Sequence, residues 1–105
     1  MEKYIMIITT TDSKDIAETI AGTLIGEKLA ACVQILPEVE SFYTWKGKVE
    51  RSEEYLLFIK SRKTLYDKIE ERIKTLHNYE VPEIIALPIE KGLSTYLKWI
   101  DDNTC

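Results

Sequence analysis

Two long extended segments meeting at a two-residue turn restrict this chain more than any other feature of its sequence. Leu29 to Ile35 opens one strand, and Val39, Ser41, Tyr43 and Trp45 alternate with Glu40, Phe42 and Thr44 beyond it. Lys46-Gly47 supplies the turn, and Val49 to Ile59 returns as the partner strand. Pro37 cannot donate to a ladder, so a bulge or bend is expected there. At ~3.3 Å per residue such a hairpin reaches about 50 Å. A compact chain of this length has a diameter of about 33 Å. The outer hairpin, with Phe42, Tyr43 and Trp45 near its tip, must therefore project beyond its own core. An exposed edge bearing aromatic side chains aggregates unless another chain covers it. Self-association resolves the conflict.

The remaining segments fit around that hairpin. Tyr4 to Thr10 is apolar on both faces and reads as an interior strand covered on both sides. Asp12 or Ser13 caps a helix whose stripe is Ile16, Ala17, Ile20, Ala21, Leu24 and Ile25, ending near Lys28. Ser61 to Thr64 is expected to cap a second helix with the stripe Leu65, Ile69, Ile73 and Leu76. Ile84 to Ile89 is a fourth strand, and Ser94 to Asp101 a closing helix with Tyr96, Leu97, Trp99 and Ile100 on its buried side. The order βαββαβ plus a C-terminal helix, with right-handed crossovers, predicts an α+β, ferredoxin-like split βαβ sandwich. Residues 1–105 are read as one domain, since no linker or repeat divides them and the length supports one core.

Charge narrows the partners. Eighteen acids against fourteen bases leave a net charge of −4, so no nucleic acid and no anionic membrane surface is expected as partner. The apolar run Tyr4–Ile8 is too short for a signal-peptide core. Two cysteines make no disulfide framework, which places the chain in a reducing cytoplasm.

Chemistry-bearing residues are few. His77 is the only histidine and falls where the second helix gives way to a loop holding Tyr79, Glu80, Pro82 and Glu83. It reads either as a metal ligand or acid–base group, or as a histidine favoured at a helix C-terminus by the dipole. Cys32 stands among Ala30, Ala31 and Val33, where a free cysteine also serves as a small hydrophobe. Lys60 ends an apolar strand and could hold an anion or face water. No Ser-His-Asp set, phosphate loop or paired catalytic carboxylates stand out, so no enzyme is expected.

Several segments together resemble the CutA family of divalent-cation tolerance proteins: Leu29-Ala30-Ala31-Cys32-Val33, Ser41-Phe42-Tyr43-Thr44-Trp45-Lys46-Gly47-Lys48, Glu54, Lys60, His77 to Ile84, and Tyr96-Leu97-Lys98-Trp99. The resemblance implies a homotrimer with long hairpins pairing between subunits, Phe42, Tyr43 and Trp45 at the interface, and a link to copper and other divalent metals without an established reaction. No required cofactor is implied. Cysteine and histidine ligands of copper-binding members carry over to Cys32 and His77, with a carboxylate from Glu80 or Glu83. Thr9 and Leu76 stand where some of those members have a further cysteine and histidine, which leaves one protomer short of four ligands and predicts weak metal binding. The architecture also resembles the trimeric PII signalling proteins, which implies as an alternative a small-ligand sensor with an intersubunit cleft built from Lys60, His77, Tyr79 and Glu83.

Overall fold

Residues 3–105 are described by a computed structural model. Strand β1 (Tyr4–Thr11) is followed by helix α1 (Lys14–Gly26), the hairpin β2 (Cys32–Trp45) and β3 (Lys48–Arg62), helix α2 (Tyr66–Leu76), strand β4 (Ile84–Pro88) and helix α3 (Ser94–Asp102). The sheet runs β2-β3-β1-β4 with antiparallel neighbours throughout. This is the expected ferredoxin-like arrangement.

Alternation along β1 divides the sheet into two faces. Ile5, Ile7, Thr9 and Thr11 are buried on the face packed by α1 through Ala17, Ile20 and Leu24 and by α2 through Ile69 and Ile73. Ser13 caps α1 by accepting from the Ile16 N–H. The second cap differs from expectation. Ser61 is buried in β3 and its hydroxyl donates to the Leu29 carbonyl, and a short tight turn over Lys63–Leu65 leads into α2 with no side-chain cap. Tyr66 on the first turn of α2 donates to Glu70, and burial together with that carboxylate pushes its phenol up to about 12.

One core hydroxyl has no partner: Thr9 Oγ1 is fully buried without a hydrogen bond. A buried unpaired hydroxyl destabilises the state that buries it. Thr9→Val is therefore expected to raise stability by about 1 kcal/mol, checked by the denaturant midpoint at unchanged m-value.

The opposite face carries Met6, Ile8, Leu56, Phe58, Ile85 and Leu87 by register. Helix α3 lies across only one end of it, where the Tyr4 hydroxyl donates to Asp101 and Lys60 meets Tyr96. Ile85 stays 49% and Leu87 42% exposed. The expected cover on both sides of β1 is thus incomplete within one protomer. Of the α3 residues expected to be buried, Ile100 is, whereas Tyr96 and Trp99 remain exposed.

The hairpin sets the 44 Å long axis of a molecule 25 and 23 Å across. Its two-residue turn places Lys46 and Gly47 at φ 52° and 80°, the left-handed pair that matches strand twist. The bulge expected at Pro37 is present. Leu36 pairs with Leu56 but Val39 with Glu54, so β2 carries one extra residue, and Glu38 takes φ 63°. The shift changes sides. Val33 and Ile35 point to the helices, whereas Val39, Ser41, Tyr43 and Trp45 pair with Glu54, Ser52, Glu50 and Lys48 and join the face bearing Leu56 and Ile85. Phe42, opposite Arg51, points the other way.

Candidate functional site

The polar cluster of the fold forms where the segment after α2 crosses the end of β1 and the middle of β3. Helix α2 stops at Leu76 and His77 is its C-cap in extended conformation, its N–H donating to the Ile73 carbonyl. Both imidazole nitrogens are occupied. Nε2 lies 2.8 Å from the Thr10 carbonyl oxygen and Nδ1 3.0 Å from the Tyr79 backbone nitrogen. A carbonyl accepts and an N–H donates, so Nε2 carries the proton and Nδ1 presents its lone pair. The Tyr79 ring lies 4.9 Å from the imidazole, and its hydroxyl donates to Glu54 Oε2 at 2.6 Å. Between them, Asn78 accepts from the Thr11 hydroxyl and donates to Asp12. Three consecutive side chains thus clamp the segment to two strands.

Glu54 is the unusual member, a carboxylate only 5% exposed. Such a group demands a donor, and Tyr79 provides one. Burial, then the Glu54 carboxylate, raise the Tyr79 phenol well above its ordinary value, so it remains a donor at neutral pH. Tyr79→Phe leaves a buried carboxylate oxygen without its donor and is expected to lower stability by about 1–3 kcal/mol. Chemical denaturation checks this, and a smaller loss in the double variant Tyr79→Phe/Glu54→Gln would identify the stranded charge as the cause.

Burial lowers the His77 pKa from 6.5, outweighing the Thr10 carbonyl, Asp12 and Glu54, which favour the cation. The unfolded chain therefore binds a proton at higher pH than the folded one, and the neutral ring's contribution is present above about 6.5. It is lost as pH falls below that value towards the lower folded pKa. Stability is expected to decline from pH 7.5 to 5.5, with a shallower decline in His77→Gln, measured as denaturation midpoints across pH.

The residues picked out in the sequence do not all meet. His77 docks on Thr10, whereas Lys60 pairs with Met6 on one side and with Cys32 on the other. Four residues of β1 separate those rows, about 13 Å along the strand. The reason is topological: β3 ends where α2 begins, so the far end of α2 arrives at the other end of the sheet. Glu80 and Glu83 are exposed. Among the described residues no three His, Cys, Asp or Glu side chains lie close enough to share an ion. The expected set Cys32, His77, Glu80 and Glu83 is therefore not assembled within one protomer, and of the residues expected to line a cleft between subunits, one protomer carries His77 and Tyr79 at one end of the sheet and Lys60 at the other. Lys60 instead reaches Tyr96, its Nζ 5.7 Å from the ring centre. Thr10, Thr11, Asp12 and Asn78 were not singled out by the sequence reading; Asp12 stood there only as a cap candidate.

Residues 5–103 match the family described as CutA1 divalent ion tolerance protein. The chloroplastic Protein CutA 1 of Oryza sativa is 47% identical over 100 residues, covering 95% of this chain and 56% of its own length. The divalent-cation tolerance protein CutA of Thermus thermophilus is 46% identical over 104 residues, 99% of each chain. The chain thus spans little more than half of the rice protein and nearly all of the Thermus one. The crystal structure of CutA1 from Shewanella sp. SIB1 superposes with a TM-score of 0.95 at 47% identity, covering 98% of this chain and 96% of that one.

Proposed function

Because this chain belongs to the CutA1 divalent ion tolerance family, we propose that its single domain works as a homotrimer that binds copper and other divalent cations weakly in a tolerance response. The observation that carries the assembly is the apolar sheet face left open by α3, continued onto the projecting hairpin by Tyr43 and Trp45. An obligate interface of this kind buries more than roughly 2,000 Å² in total. Light scattering is expected to give three times the protomer mass at micromolar concentration; a monomer would refute it.

Weak metal binding follows from the donors. The Cys32 thiol is partly exposed and free, but His77 must give up a hydrogen bond to bind an ion through either nitrogen. Water or a neighbouring subunit completes the coordination. Copper titration is expected to show at least a tenfold loss of affinity in Cys32→Ala and a smaller one in His77→Ala. Unchanged affinity in both would remove these residues from any metal role.

The family is named for tolerance rather than for a reaction, and a non-enzymatic role is proposed accordingly. No helix among the described residues is long and apolar enough to cross a membrane. The cytoplasm is the proposed compartment on the strength of two free thiols, although the rice relative is described as chloroplastic. A second reading, a small-ligand sensor using clefts between subunits, is favoured by Lys60, which forms no ion pair among the described residues and stands beside exposed aromatic rings.

A further inference from the structure

We infer that Lys60, Tyr96 and Trp99 form a binding platform for a planar aromatic anion, an inference that rests on the small-ligand reading and names its ligand class. Tyr96 and Trp99 stand one turn apart on α3 with ring centres 5.6 Å apart and planes inclined by 24°. They remain 37% and 42% exposed in the protomer, so its own chain leaves part of this stack uncovered. Stacking against such a surface favours a flat π system over an aliphatic group of equal size. Lys60 supplies the charge. Its ammonium is 5.7 Å from the Tyr96 ring centre and pairs with no acid among the described residues. Its neighbours across the strands, Met6 and Cys32, bring no carboxylate.

The same lysine excludes the other use of clustered aromatic rings, capture of an organic cation, because a fixed positive charge repels one. On α3 itself Asp101 accepts from the Tyr4 hydroxyl and pairs with Lys3, and Asp102 pairs with Lys98, whereas the buried Glu54 and the exposed Asp12 belong to the cluster at the far end of the sheet. An anion on the exposed part of the ring stack therefore meets a cation within reach that no carboxylate neutralises.

The test uses the assembled protein and three probes: 1-naphthoate, its neutral counterpart 1-naphthamide, and the non-planar anion cyclohexanecarboxylate. Calorimetry is expected to show naphthoate binding at least tenfold more tightly than either of the others. Lys60→Gln should lose at least tenfold for naphthoate but little for naphthamide. Trp99→Leu should lose at least tenfold for both ring probes, and Trp99→Phe should restore most of it. The Trp99 indole N–H resonance should move on naphthoate addition in wild type. Equal binding of naphthoate and naphthamide, or undiminished binding in Lys60→Gln, overturns the platform as an anion site. Naphthoate binding that shifts His77 and Tyr79 but not Trp99 overturns it while leaving the small-ligand reading intact. Binding of none of the three probes overturns both.

Discussion

Trp45→Ala is expected to dissociate the assembled protein into monomers and to remove about 3–5 kcal/mol of stability. Trp45 lies one position from the hairpin turn, opposite Lys48, and is 40% exposed in the protomer. The Lys46 ammonium lies 5.9 Å from the centre of its ring. The bulge puts it on the side of the open apolar face, so full burial of the indole requires another chain. Much of the loss should therefore appear as weaker association, and the melting temperature of the variant should depend more steeply on protein concentration than that of wild type. Light scattering and thermal melts over a hundredfold concentration range check this. A variant that keeps wild-type mass and melting temperature would show that the indole is not an interface anchor.

Ile7→Ala is expected to cost about 2–5 kcal/mol without any change of oligomeric preference per folded chain. Ile7 is fully buried at the centre of β1, paired with Ile59 on one side and Ala86 on the other, beneath both packed helices. Nothing can collapse into the space, because its neighbours belong to three different strands and two helices. For a domain of this length each kcal/mol lowers the melting temperature by roughly 4–8 °C. Circular dichroism melts at fixed concentration measure it, and a shift below a few degrees would mean that the core repacks.

Element order, the hairpin turn and the bulge could be read from the sequence because each rests on local chemistry. A proline that cannot donate, a Lys-Gly turn and β-branched alternation act over a few residues. The start of α2 could not, since Ser61 has the same hydroxyl whether it caps a helix or, as here, donates to a carbonyl thirty-two residues away. Helical spacing showed that Tyr96 and Trp99 share a stripe with Ile100, but periodicity does not say how far the surface beneath extends. The separation of Lys60 from His77 depends on the direction of α2, which spans about 16 Å between them. His77 itself was found by its type and position. Tyr79 stood beside it in the sequence, but Thr10 could not be read as a partner, because it contributes only a backbone carbonyl.

The extra residue in β2 makes the outer hairpin subject to a parity rule. Removing either Pro37 or Glu38 would bring the two strands back into step, and every side chain of β2 beyond that point would keep its side, because Val39 would still pair with Glu54. A single residue inserted between Val39 and Trp45 without a second bulge would instead exchange the sides of the residues distal to it. Length can change harmlessly only in even steps, two residues added to each strand, every step extending the reach by about 6.6 Å. Related chains that vary the hairpin should therefore differ by multiples of four residues, or gain or lose a bulge with the change.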